Sequence, residues 1–152
     1  MQIYRKILVT MDCSPVDDAI IEHVSSLALQ NDAQVALLHV VHSHTLDQHR
    51  ALGERAEASL NAHHKKLQSH GIDVRIIIRS GEPDAEILAE IERTDYDLVA
   101  MATHGHSFIG DILFGSVSRT LKHRICTPLL LINPTCEFPR QGAVGKNSNG
   151  GI

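Results

Sequence analysis

Residues 98–118 read Leu-Val-Ala-Met-Ala-Thr-His-Gly-His-Ser-Phe-Ile-Gly-Asp-Ile-Leu-Phe-Gly-Ser-Val-Ser. An apolar run, Leu98–Met101, gives way to a loop of small residues, and Gly115-Ser116 then opens a short helical stretch over residues 116–124. A buried strand followed by a glycine-bearing loop and a helix start is the layout of an anion site. Glycine lets the backbone approach a ligand closely. The first turn of a helix offers unpaired N–H groups and a partial positive charge. The same layout also serves an ordinary strand-to-helix crossover, so the rest of the chain has to decide.

Outward from this stretch, apolar runs alternate with helical patterns. Ile7–Thr10, Val35–Val41, Ile72–Ile78, Asp97–Met101 and Pro128–Ile132 read as five strands. The second is too continuously apolar to have a wet face. Between them, Ile20, Val24 and Leu27 share one helical face, and Leu52, Ala56, Leu60, His63 and Leu67 share another. Gly71 is placed to end that second helix. Gly81-Glu-Pro-Asp opens a third, with Pro83 in its first turn and Ile87, Leu88 and Ile91 facing inward. Short buried strands separated by helices predict right-handed βαβ units and a parallel sheet. Periodicity leaves the strand order open. In an order 3-2-1-4-5, Asp12, just past the first strand, would face the loop at 102–116 across the point where the order reverses.

Composition narrows the function. The chain has 152 residues, 43% apolar and 21% charged, with a formal net charge of −4. That length fits one domain with a real core. The charge argues against a general nucleic-acid binder. No apolar run reaches the ~18 residues of a membrane span, and no secretory leader pattern precedes the first strand. Three cysteines without CxxC spacing read as free thiols in a reducing cytoplasm. Residues 1–134 form the expected domain. Residues 135–152, rich in glycine and asparagine, read as a disordered tail.

Several nucleotide motifs are missing. Gly105-x4-Gly110 is followed by Asp111-Ile112 where a Walker loop needs Lys and Ser/Thr. The turn Thr10-Met-Asp-Cys-Ser-Pro lacks GxGxxG, which disfavours a dinucleotide site. A phosphoacceptor receiver domain is disfavoured too, because Asp12 stands without a paired acid. What does match is Ala102-x2-Gly105-x9-Gly115-Ser116, together with Lys6-Ile-Leu-Val…Asp12-x-Ser14, Leu38-His-Val40, Gly81-x-Pro83-x2-Glu86-Ile, Asp97-Leu-Val and Cys126-x-Pro128-Leu-Leu. In this order, across residues 3–133, the chain resembles the universal stress protein family. ATP-binding members of that family carry Gly where this chain has Ala102.

The resemblance implies a flavodoxin-like, Rossmann-like three-layer α/β sandwich with a five-stranded parallel sheet in the order 3-2-1-4-5. It implies ATP, with or without Mg2+, as the ligand. Asp12 would lie near the ribose, beside Thr10 where some members have proline. The Val40 backbone would meet the adenine, and Met101 and Ala102 would flank base and ribose. Gly105, His106, Ser107 and Phe108 would wrap the phosphates, with Gly115, Ser116, Val117 and Ser118 as donors. It also implies a homodimer through strand five, residues 128–132, and a regulatory protein partner whose identity the sequence does not give.

Plainer roles compete with these. The glycines can serve loop geometry alone. Asp12 can cap the first helix, with Ser14, and Ser116 can cap the fourth. Among eleven histidines, none has the spacing of a structural zinc site. No catalytic constellation is readable, so enzymatic activity is not expected beyond slow ATP hydrolysis. The reading is an adenine-nucleotide-binding stress-response protein whose ligand sets its conformation or its partner. A slow ATPase and a nucleotide-free dimeric adaptor are the alternatives.

Overall fold

The computed structural model describes residues 2–103 and 110–134, the backbone alone over 110–116. The expected phosphate-loop residues Gly105, His106, Ser107 and Phe108, and the expected tail 135–152, lie outside the described residues. Five strands alternate with four helices: β1 (Lys6–Thr10), α1 (Val16–Asn31), β2 (Gln34–Val41), α2 (Leu46–Ser69), β3 (Val74–Ser80), α3 (Pro83–Arg93), β4 (Leu98–Ala102), α4 (Gly110–Arg124) and β5 (Leu129–Ile132). The sheet order is β3-β2-β1-β4-β5, and every pair is parallel. This is the α/β architecture and strand order that the resemblance implied.

Alternation along the strands builds two cores. Ile7, Val9 and Leu37 point to one face, where Ile20, Ile21 and Val24 of α1 and Ala56, Leu60 and Leu67 of α2 cover them. Leu8, Leu38, Val99 and Met101 point to the other, under Ile87 and Ile91 of α3 and Val117 and Leu121 of α4. Each large apolar side chain so buried contributes about 1.5–3 kcal/mol. Ile7–Val9 of β1 and the whole of β4 are apolar because both faces are covered there.

Local signals end the helices. Thr45 caps α2 by accepting the Gln48 N–H at 3.2 Å. At its other end Gly71 takes φ +81°, its N–H donates to Gln68 O, and Ile72 N–H donates to Leu67 O. That pair of bonds satisfies the last carbonyls, and the left-handed φ favours glycine. Among the described residues, no helix is long and apolar enough to cross a membrane.

Two elements depart from the sequence reading. Leu52, read as part of the inner face of α2, is 38% exposed, and His63 is half-buried. Helix α4 starts at Gly110, six residues before its expected start at 116. A glycine inside a helix costs only about 1 kcal/mol, so Gly115 does not stop it. The free first-turn amides of α4 therefore belong to residues 110–113, and the amides of Gly115, Ser116, Val117 and Ser118 lie inside the helix. An N-cap role for Ser116 is excluded for the same reason.

Candidate functional site

Parallel strands deliver their carboxyl ends to one edge of the sandwich, and a cavity of ≈180 Å³ lies there. Thr10, Met11 and Asp12 come from the end of β1, and Leu38 to His42 from the end of β2. Leu52 of α2, Pro83 and Ile87 of α3 and Val117 of α4 complete the wall. Four expected site residues thus meet in one place: Thr10, Asp12, Val40 and Val117. The partial exposure of Leu52 has its explanation here, since it forms part of the cavity wall.

Met101 and Ala102 do not line the cavity. Met101 packs into the core beneath α3 and α4, and Ala102 into the core beneath α1 and α2, both fully buried. Ala102 is the last residue of β4, in register with Ile132, and its φ is not positive. Its methyl therefore occupies core space that a glycine would leave empty. Gly115 and Ser116 belong to α4, and Ser118 is half-buried.

The polar groups of the cavity have distinct surroundings. Thr10 is 2% exposed, and its hydroxyl has no hydrogen-bond partner among the described residues. An orphaned hydroxyl at a cavity wall suits a polar ligand atom, because leaving it unpaired costs about 1–3 kcal/mol. Asp12 Oδ2 accepts from the Ser14 hydroxyl at 2.7 Å. Burial raises the Asp12 carboxyl above its usual range, while the Ser14 bond, His39 and Arg55 pull it back. His39 Nδ1 lies 2.7 Å from Met11 O. A carbonyl only accepts, so Nδ1 carries the hydrogen and Nε2 is the acceptor when the ring is neutral. At the rim, His42 Nδ1 donates to Gly81 O at 3.3 Å and sits 3.5 Å from Glu82 Oε1.

Asp12 is not the cap of α1. That helix begins after Pro15, with no side-chain cap. Asp17, in its first turn, instead reaches back: Oδ1 accepts from Asp12 N–H at 2.9 Å and Oδ2 from Cys13 N–H at 2.7 Å. Asp17, His39 and Leu52 were not singled out as site residues. An acid early in a helix reads in sequence as a complement to the helix dipole, and only the folded turn shows which amides it serves. Among the described residues, no group of three His, Cys, Asp or Glu side chains forms a metal site.

A larger hollow of ≈690 Å³ lies at the opposite, amino ends of the strands. Asp32, Asp73, Asp95 and Asp97 line it with Arg5 and Lys6. It has none of the expected site residues, and Asp97 there is occupied by the amides of Arg5 and Lys6, each at 2.9 Å. The carboxyl-end cavity is where open parallel sheets bind their ligands.

Comparison with known proteins follows the same lines. The profile of the universal stress protein family matches residues 3–133. Universal stress protein MJ0577 of Methanocaldococcus jannaschii is 25% identical, over 85% of this chain and 94% of that protein. A universal stress protein of Methanothermobacter thermautotrophicus is 30% identical, over 81% and 91%. The solved structure of MJ0577 superposes with a TM-score of 0.76 at 26% identity, covering 89% of this chain and 99% of that one. Two further structures share the fold at lower identity. One is a universal stress protein in complex with cAMP, with a TM-score of 0.68 and 18% identity over 87% and 98% of the chains. The other is a protein from Archaeoglobus fulgidus in complex with dAMP, with a TM-score of 0.66 and 19% identity over 86% and 99%.

Proposed function

The chain belongs to the universal stress protein family, and from that premise we propose that it binds an adenine nucleotide, ATP, which sets its conformation or its choice of partner. The observation that carries the reading is the carboxyl-end cavity, lined by Asp12 and by Thr10, whose buried hydroxyl has no hydrogen-bond partner among the described residues. Asp12 accepts the ribose hydroxyls, and the Val40 backbone meets the adenine edge. The phosphates run toward Gly105, His106, Ser107 and Phe108 and toward the start of α4, whose first-turn amides favour anions. Met101 and Ala102 support the site from the core, and Mg2+ accompanies the phosphates. The complexes of two fold relatives with cAMP and dAMP support an adenine nucleotide as the ligand class.

The proposal extends to assembly and location. β5 is an edge strand with Leu131 46% exposed, which favours a homodimer through residues 128–132. A regulatory protein reads the nucleotide state. Cys13 and Cys126 are free thiols, as suits the cytoplasm.

Mass spectrometry of ligand released from freshly purified protein tests the nucleotide directly, and thermal shift with ATP, ADP and AMP quantifies it. Ligand at 100 times Kd adds about 2.7 kcal/mol of stability. Asp12→Ala removes most of that gain. If none of the three nucleotides shifts the wild-type melting temperature, the cavity is not a nucleotide site.

A further inference from the structure

The turn between β1 and α1 is held by one buried side chain. Asp17 is fully buried, and its two carboxylate oxygens accept from two successive amides, those of Asp12 and Cys13. Within the same turn Cys13 stands at φ +57°, a left-handed conformation that is unfavourable for a non-glycine residue. The N-cap position of α1, Pro15, makes no side-chain cap bond. Asp12 is thus fixed by its own amide on one side and by the next amide on the other, with its carboxyl on the cavity wall.

We propose that Asp17 is a positioning residue for the ligand cavity: its ionised carboxylate clamps the β1–α1 turn and so aims Asp12 at the ribose. The proposal rests on the adenine-nucleotide reading above. Two adjacent N–H groups need two acceptors, and an ionised carboxylate offers acceptors only. Asparagine offers one oxygen, and its NH2 then faces an N–H. Protonated aspartate has the same defect, because one oxygen becomes a hydroxyl.

The charges around the turn are few. Asp12 and Cys13 lie on the turn itself, His39 reaches Asp12 from β2, and Arg55 reaches both Asp12 and Cys13 from α2. Asp18 pairs its field with His63 of α2. Burial, with the Asp12 charge adding to it, pushes the Asp17 carboxyl up to about 6, against the pull of the amide bonds. The clamp therefore releases within the range where proteins are routinely studied.

The experiment is ATP titration calorimetry on the full chain, wild type and Asp17→Asn, from about pH 5 to about pH 7.5. At the upper end the substitution weakens binding roughly tenfold. The ratio of the two affinities, in which the titration of the phosphates cancels, falls toward one at the lower end. A ratio of one throughout, or one that stays constant with pH, overturns the proposal. A second measurement needs no variant. The wild-type amide resonances of Asp12 and Cys13 should titrate with a midpoint near the Asp17 value of about 6; resonances that do not move overturn the clamp. Wild-type protein that binds no adenine nucleotide overturns the nucleotide reading instead, and the amide titration still reports on the turn.

Discussion

The Tyr96 hydroxyl donates to Glu90 Oε1 at 2.8 Å and accepts from Arg75 Nη2 at 2.6 Å, which ties the end of α3 to β3. Glu90 is only 3% exposed. Arg75, Arg79 and Arg93 place guanidinium nitrogens 3.5–3.7 Å from its carboxylate, and each remains substantially exposed. Tyr96→Phe removes the shortest bond to a buried charge and leaves the arginines in place. Hydrogen bonds to charged groups contribute about 1.5–3 kcal/mol, so the loss should be about 2 kcal/mol. Urea denaturation measures it, and an unchanged midpoint would show that the arginines suffice.

Stability should carry an acid-side signature from Asp17. Its carboxyl titrates near 6 in the fold and near its ordinary 3.8 in the unfolded chain. Between those values the folded state holds more protons, so this group's contribution falls as pH rises through the window and is constant above it. The difference in unfolding free energy between wild type and Asp17→Asn should therefore change between about pH 4 and about pH 6.5. A pH-independent difference would mean that Asp17 ionises normally.

Ala102→Gly should weaken the fold without creating a site. The methyl is buried in the core beneath α1 and α2. Its loss costs ~0.8 kcal/mol of burial, and glycine in a strand adds ~0.5–1 kcal/mol. ATP affinity should change by less than about tenfold. If calorimetry instead finds binding only in the variant, the alanine blocks the ligand and the nucleotide assignment fails.

Leu131 and Leu130 separate assembly from folding. Leu131 is 46% exposed on the edge strand, whereas Leu130 packs against the core. Leu131→Lys should shift sedimentation toward monomer while stability stays within about 0.5 kcal/mol. Leu130→Lys should lower stability itself. A wild-type mass that is monomeric at every concentration rules out the dimer.

Much of the fold could be read from the chain because its central strands are largely apolar on both faces and glycine or proline marks the end of α2 and the start of α3. Gly71 and Pro83 stand where the sequence reading put them, at the end of α2 and in the first turn of α3. Strand order is different. Nothing in a strand's own periodicity names its neighbour, and the order came through the family resemblance. The start of α4 was misplaced because Gly115-Ser116 looks like a boundary, and a tolerated mid-helix glycine leaves no mark in a sequence. Glu90 and Asp17 were missed for a common reason. An acid on a helix reads as solvated, and its burial depends on partners such as Arg75 on β3 or the Cys13 amide, which only the tertiary fold supplies.

The two rims of the sheet are unlike. β3 carries Arg75 and Arg79, whose charges are committed to Glu90, and charged side chains discourage another strand from pairing there. β5 is aliphatic throughout and exposes Leu131. Growth of an open-ended ribbon requires both rims of each molecule to accept a neighbour. With the β3 rim guarded, an association through β5 would pair it with another β5 across a two-fold axis and so close at two copies.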